Sequence, residues 1–370
     1  MKNIPLFKVH TPKNIGETIQ KVWDDGMVTE GVYSDQFEKE LSDFIENEHT
    51  LLVNSGTTAL TLAYHLAGIG PGDEVITSPM TCAATNEPLV HCGAKIVWAD
   101  INPATGNICP LDVAKKITPK TKAVVGVHWG GVPFDTDMLR SVVGPDIWII
   151  EDCAHAFGAR YSNIFRSNDR PVGSVSGKTI ACFSFQAIKH LTTGDGGAVA
   201  VSSKELYDRG KKLRWFGLDR TFVGPKWSQD ITEAGFKYHM NNMNASIGLL
   251  QLKDIKMRLT KYTKNALYYD KNIKNPKIWK PAPDLNVTPS WWLYTVLVDD
   301  PQDLKKFLGE RGIASDVVHV RNDNYTCFSH CDKQDLPNVK YFDERHLCIP
   351  IGWWLGIMDY TRVVKALNEY

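Results

Sequence analysis

Three short stretches carry side chains of a kind that does chemistry. The first is Ser55-Gly56-Thr57-Thr58, one residue beyond the apolar run Leu51-Leu52-Val53. Small hydroxyl-bearing residues that open a helix offer free N–H groups and a positive helix end to a phosphate monoester. The same residues also make an ordinary N-cap that needs no ligand. The second is Glu151-Asp152, which ends the apolar stretch Trp148-Ile149-Ile150. A carboxylate there either caps local structure or pairs with a cation. The third is Lys189, which follows Cys182-Phe183-Ser184-Phe185 and precedes Thr192-Thr193-Gly194-Asp195-Gly196-Gly197. Alone it reads first as a solvated loop lysine and only second as an amine nucleophile. Together the three supply what pyridoxal phosphate demands: a phosphate cup, a carboxylate to keep the pyridine nitrogen protonated, and an amine for the Schiff base that later moves a proton.

The elements around these stretches put each at the end of a strand. Residues 51–55, DEVITS, KIVWAD, TKAVVGV and DIWIIED read as short buried strands, with helical spacing at 57–68 and 82–92. TIACFSF and GAVAVS are two further strands close together around the glycine turn. Strands alternating with helices predict a large, doubly wound, mostly parallel α/β sheet, whose ligands bind at the carboxyl ends of its strands. After about residue 245 the texture changes. A long amphipathic helix over 242–262 leads into a Pro- and Asn-rich extended region at 274–289. A strand at WLYTVLV, a helix at 301–310 and a terminal helix near 358–369 then follow. This predicts a large domain over 1–245 and a smaller C-terminal α+β domain over 246–370.

Composition narrows the function class. The chain has 370 residues, 43% of them hydrophobic, so it has material for a sizeable core. Its 42 basic residues balance 42 acidic ones, which gives no support for nucleic acid or a membrane surface as partner. The first residues, MKNIPLFKVHTPKN, lack the apolar region of a secretory signal, and no stretch has the roughly 18 apolar residues of a membrane span. Scattered cysteines, eight in all, suit reduced thiols in a cytoplasmic enzyme. Cys327 and Cys331 form a CxxxC pair, a poor zinc signal, and no metal site is expected.

The segments NSGTTAL, IEDCAHAFGA and CFSFQAIKHLTTGDGG resemble the DegT-type sugar aminotransferases, which are fold-type-I pyridoxal phosphate enzymes. The likeness extends through TPKTKAVVGVHWGG and HLCIPIG. GFKYHMNNMNASIGL and the lysine region resemble the branch that makes 4-amino-4-deoxy-arabinose for lipid A. The resemblance implies that Lys189 carries the cofactor as a Schiff base and that Asp152 pairs with the pyridinium nitrogen. It puts His155 near the ring hydroxyl, and Gly56, Thr57, Thr58 and Ser184 around the phosphate. It also implies a homodimer with shared active sites, in which Lys237 and His239 reach the neighbour's cofactor phosphate. Glutamate is then the amino donor, and the acceptor is a nucleotide-linked keto sugar aminated at C4 or C3, as in lipopolysaccharide O-antigen sugars.

One departure concerns the cofactor ring. The family usually covers it with an aromatic residue in a motif like T-F-x-A-T, whereas residues 81–85 here read Thr-Cys-Ala-Ala-Thr. Cys82 therefore either covers the ring with its polarisable sulfur or leaves that task to another side chain. His319, Arg321, Asn322, Asp323 and Tyr325 form a polar-aromatic cluster in the smaller domain and are candidate substrate contacts. The rival readings are a pyridoxal-dependent sugar dehydratase and a non-catalytic regulator on the same scaffold. The dehydratases replace the lysine with histidine, and His190 stands next to Lys189; the five-residue step from Ser184 selects the lysine. A nicotinamide dehydrogenase would need G-x-G-x-x-G where this chain has NSGTTAL.

Overall fold

The computed structural model describes residues 3–162 and 169–370. Two helices, α1 (Ile15–Asp24) and α2 (Val32–Ile45), precede the first strand. The chain then alternates β1 (Thr50–Val53), α3 (Gly56–Leu66), β2 (Glu74–Thr77), α4 (Ala83–His91), β3 (Lys95–Trp98), α5 (Pro110–Lys116), β4 (Thr121–Val127), α6 (Thr136–Val143) and β5 (Trp148–Asp152). The short β6 (Arg160–Tyr161) and β7 (Arg170–Pro171) come next, followed by β8 (Thr179–Ser184), β9 (Gly197–Val201) and α7 (Lys204–Leu213).

The main sheet has the order β1-β9-β8-β5-β4-β2-β3. Pairs from β8 through β3 are parallel, whereas β9 runs antiparallel to both β8 and β1. So every strand except β9 points the same way, and the turns after β1, β5 and β8 emerge on one side. Side chains alternate across the sheet and both faces are covered. On β8, Ile180 and Cys182 enter one apolar cluster, while Ala181 and Phe183 enter the other. On β9, Val199 and Val201 face one side and Ala198 and Ala200 the other. The near-continuous apolar strand sequences follow from this double burial.

Beyond α7 the expected helix over 242–262 is two helices, α8 (Asn242–Lys253) and α9 (Ile255–Asn272). They break at Asp254, whose φ of −110° and ψ of 5° leave the helical range. The apolar periodicity continues across the break, which is why the sequence reads as one helix. After α9 come β10 (Val287–Thr288), β11 (Tyr294–Leu297), α10 (Pro301–Glu310), α11 (Pro337–Asp343), β12 (His346–Ile349) and α12 (Ile357–Glu369). β11 and β12 pair antiparallel. A separate apolar cluster joins Tyr262, Ala266 and Tyr269 of α9 to Val296, Leu304, Leu347 and Val363. Ile4 enters this cluster too, and residues 4 and 312–314 exchange backbone hydrogen bonds. No helix among the described residues is long and apolar enough to cross a membrane.

The sequence carries no clear signal for α1 and α2, yet α2 seals the sheet near the functional end. Phe37 of α2 is fully buried, and its ring lies 5.8 Å from that of Phe185, just beyond β8. The glycine at 248 in α8 makes room for it: a Cβ there would meet the Phe37 ring at 2.4 Å. Phe37→Ala is expected to cost about 3–5 kcal/mol through lost burial and a residual cavity. A fall in the urea midpoint without a change in slope checks this.

Candidate active site

The turns after β1, β5 and β8 converge on a cavity of about 680 Å³. Ser55, Gly56, Thr57, Cys82, Asp152, His155, Ser184 and Lys189 all line it, and Trp292, Val317, Val318 and His319 close it from the other side. Leu6 and Phe7 of the N-terminal segment stand at its margin.

The phosphate-type turn is built as the sequence suggests, with one difference. Ser55 caps α3: its hydroxyl accepts the Thr58 N–H (3.1 Å), and the Thr58 hydroxyl accepts the Ser55 N–H (3.1 Å). Thr58 is thereby committed to the cap and does not line the cavity. The amides of Gly56 and Thr57, the first two of the helix, have no intrahelical acceptor and meet the cavity at its positive helix end. Gly56 also has a packing reason. A Cβ there would come within 2.7 Å of the Ser184 Cβ, so only glycine lets the two turns close around a small anion.

Glu151 and Asp152 part ways because successive strand residues face opposite sides. Asp152 lines the cavity. Its two oxygens accept the Thr85 hydroxyl (2.7 Å) and the Ala154 N–H (3.0 Å), and Thr85 is braced in turn by Thr81 at 2.8 Å. Glu151 turns into the core, where its Oε2 accepts the Tyr161 hydroxyl (3.1 Å) and meets His128 Nε2 at 3.3 Å. Glu151, His128 and Cys153 lie close enough to hold a metal, but His128 Nδ1 already accepts the Phe134 N–H, which keeps the proton on Nε2 toward Glu151.

Lys189 follows a tight turn, in which its N–H bonds the Gln186 carbonyl and Ile188 N–H bonds the Gln186 side chain. Burial lowers its amine to about 8; the nearby Asp152 carboxylate and Cys82 thiol act in the opposite direction. His155 is 1% exposed and held well below the usual imidazole range, first by burial and then by Lys189. His319 falls to about 3 for the same two reasons. Both rings are therefore neutral, and their tautomers follow from their partners. The Gly130 N–H donates to His155 Nδ1 (3.4 Å), which puts the His155 proton on Nε2, 3.3 Å from His319 Nε2. That contact leaves the His319 proton on Nδ1, a donor free for a ligand.

Elsewhere the structure separates what the sequence grouped. Arg321 is tied to Asp323 (2.8 and 2.5 Å), and Asn322 bonds the Asn86 side chain and the Thr81 carbonyl. Tyr325 is exposed, and of this cluster only His319 reaches the cavity. Lys237 and His239 also lie outside the cavity formed by their own chain. The Asn54 N–H donates to the Tyr238 carbonyl (2.7 Å) and the Asn54 side-chain amide to the Lys237 carbonyl (3.2 Å), beside the phosphate-type turn, but the Lys237 amine rests over Trp215 (3.7 Å to the ring centre) and His239 packs against the same ring.

A cradle closed by Gly56 and Ser184, a helix N-terminus, a held carboxylate and a partly deprotonated lysine fit pyridoxal phosphate. Comparison with known proteins agrees. Residues 10–368 match the DegT/DnrJ/EryC1/StrS aminotransferase family. The chain belongs to that family. It is a transaminase, and enzymes of this family work with pyridoxal phosphate. It is 31% identical to the spore coat polysaccharide biosynthesis protein SpsC of Bacillus subtilis (strain 168), over 99% of this chain and 96% of that one. Among solved structures, the sugar aminotransferase CalS13 from Micromonospora echinospora is 33% identical, covers 99% of both chains and superposes with a TM-score of 0.93. DesV from S. venezuelae, solved with a ketimine intermediate, is 30% identical over 100% of this chain and 98% of its own, with a TM-score of 0.91.

Several residues that line or brace the cavity of this aminotransferase escape a sequence reading. Trp292 lies inside a segment that reads only as a strand. Phe7 sits in an N-terminal stretch without periodicity. Thr81 and Thr85 look like ordinary helix-start residues until the fold sets them beside Asp152. The Lys189 amine is expected to become nucleophilic as pH rises through about 8, whereas an exposed lysine does so near 10.4. The pH dependence of its labelling by an acylating reagent, read by peptide mass spectrometry in cofactor-free protein, checks this.

Proposed function

We propose that this enzyme moves an amino group from glutamate to the keto carbon, C4 or C3, of a nucleotide-linked deoxy sugar, and so makes an amino sugar for a surface polysaccharide such as an O-antigen. The observation that carries the reading is the convergence of a buried lysine amine, a braced carboxylate and a helix N-terminus on one cavity. Similarity to a named sugar aminotransferase and to a spore coat polysaccharide protein supports the substrate class.

The residues divide the work as follows. The Gly56 and Thr57 amides and the Ser184 hydroxyl hold the cofactor phosphate, beside the cap that Thr58 completes. Asp152 holds the proton on the pyridine nitrogen, with Thr85 and the Ala154 N–H fixing its orientation. His155 would adjoin the ring hydroxyl, and Cys82 or another side chain would cover the ring. Lys189 anchors the cofactor and then moves a proton between carbon atoms, which an amine near neutrality does efficiently. His319 offers its Nδ1 proton to a substrate oxygen. When bound, pyridoxal phosphate supplies the electron-withdrawing ring that makes the reacting carbon acidic.

The reading includes a cytoplasmic homodimer with shared sites, in which Lys237 and His239 serve the neighbour's phosphate. Eight unpaired cysteines suit a reducing compartment. Phe216, Phe222, Val223, Trp227 and Ile231 are exposed apolar side chains within one segment next to Lys237, a surface that suits burial against a second copy.

Borohydride reduction of the purified protein should fix the cofactor on Lys189; an adduct mapped to another lysine overturns the assignment. Asp152→Asn keeps size but removes the charge, and turnover should fall at least about 100-fold. A loss of only a few-fold means that Asp152 does not serve the ring nitrogen. Mixing inactive Lys189→Ala with an inactive Lys237→Ala/His239→Ala variant tests the shared site. Random reassociation should restore about a quarter of wild-type activity, because mixed dimers carry one intact site. If each chain builds its own site, activity stays at the parental level.

A further inference from the structure

We propose that Trp292 is the positioning residue for the Lys189 amine: it fixes the turn that carries the lysine and offers its ring face as the place where the protonated amine rests. The proposal builds on the assignment of Lys189 as the cofactor lysine. Its evidence lies in the backbone around Trp292, in the bonds that bracket Lys189, and in the ring contact itself.

Trp291, immediately before Trp292, has a φ of 57°. That left-handed conformation is uncommon for a bulky residue and persists only where the surroundings over-determine it. They do so here. The Ser290 N–H bonds the Gly131 carbonyl (2.9 Å) and the Leu293 N–H bonds the Gly130 carbonyl (3.0 Å). The segment runs so close to Gly131 that a Cβ there would meet the Trp291 and Trp292 amide nitrogens at 2.8 Å. The reversal splits the two indoles. Trp291 enters the apolar cluster of the C-terminal elements, and Trp292 lines the cavity.

Both neighbours of Lys189 are bonded to this segment. The Trp292 Nε1–H donates to the Ile188 carbonyl (2.8 Å), and His190 Nε2 donates to the Ser290 carbonyl (3.0 Å). The Lys189 Nζ then lies 3.5 Å from the centre of the Trp292 ring. That ring is held in place by stacking on His155 (4.0 Å between ring centres) and on Phe7 (5.3 Å). An indole face attracts an ammonium and has little attraction for a neutral amine. Burial works the other way and favours the neutral amine. Trp292 thus keeps both protonation states within reach of a residue that must give and take a proton.

The test uses the full-length protein stripped of pyridoxal phosphate, with two readouts: the pH midpoint for acylation of Lys189, and amide hydrogen exchange across residues 186–190. Trp292→Leu keeps an apolar wall without a π-face. Its midpoint should fall by about half to one pH unit, and exchange across 186–190 should rise about three- to tenfold with the Ile188 bond gone. Trp292→Phe keeps a face but not the N–H. It should hold the wild-type midpoint within about 0.3 units and show the same faster exchange. An unchanged or raised midpoint in Trp292→Leu overturns the proposal. So does wild-type exchange in Trp292→Phe, which serves as the decisive variant if the leucine protein does not fold. Borohydride mapping of the wild type separates the layers. An adduct on Lys189 beside unaffected Trp292 variants removes this inference alone, whereas an adduct elsewhere removes the cofactor assignment with it.

Discussion

A lysine amine taken out of water loses its preference for the charged form. At Lys189 that loss is opposed by the Asp152 carboxylate and then by the Cys82 thiol, so the amine stays near 8 instead of falling further. Everything that packs around it respects this balance. The imidazoles of His155 and His319 beside it are buried enough to remain neutral and add no positive charge. Asp152 is satisfied by a hydroxyl and a backbone N–H rather than by an arginine, so its charge remains directed at the cavity. A full salt bridge at Asp152 would spend the charge that the site needs for a ring nitrogen.

The sheet makes this balance possible because it delivers the groups without long loops. Strands running the same way release their turns on one side, and β9, the one reversed strand, returns the chain directly after the lysine turn. The glycines at 196 and 197 belong to that return. A Cβ on Gly197 would lie 2.5 Å from the Ser55 carbonyl, so the lysine turn and the phosphate-type turn are pressed together by backbone packing. The helix end, the carboxylate and the amine are therefore held by strands rather than by flexible side chains, and a site held this way loses little entropy on binding.

The smaller group of C-terminal elements contributes in a different way. It reaches the cavity through Trp292 and His319, and it is tied to the chain's start by Ile4 and by Phe7 on Trp292. Its strain is local, at Trp291, and is held by hydrogen bonds to Gly130 and Gly131 next to the cavity. Residues more than a hundred positions apart are in this way made to share one wall.

The sequence alone determines the alternation of buried strands and helices, because a doubly covered sheet demands continuous apolar runs, and it determines the order of hydroxyl turn, carboxylate and lysine at the strand ends. The turn at Gly56, the carboxylate of Asp152 and the amine of Lys189 are legible for that reason, since each stands where a buried strand stops; Ser184 is legible only through the family resemblance. Only the tertiary structure decides the rest. Thr58 belongs to the helix cap, because its hydroxyl closes a reciprocal pair with Ser55. Of the cluster at 319–325 only His319 faces the cavity, because Arg321 is neutralised by Asp323 and Asn322 is bonded to the α4 region. The break at Asp254 and the roles of Phe37 and Trp292 are equally silent in the sequence. Apolar periodicity records that a side chain is buried, but the identity of what it is buried against depends on contacts between residues far apart in the chain.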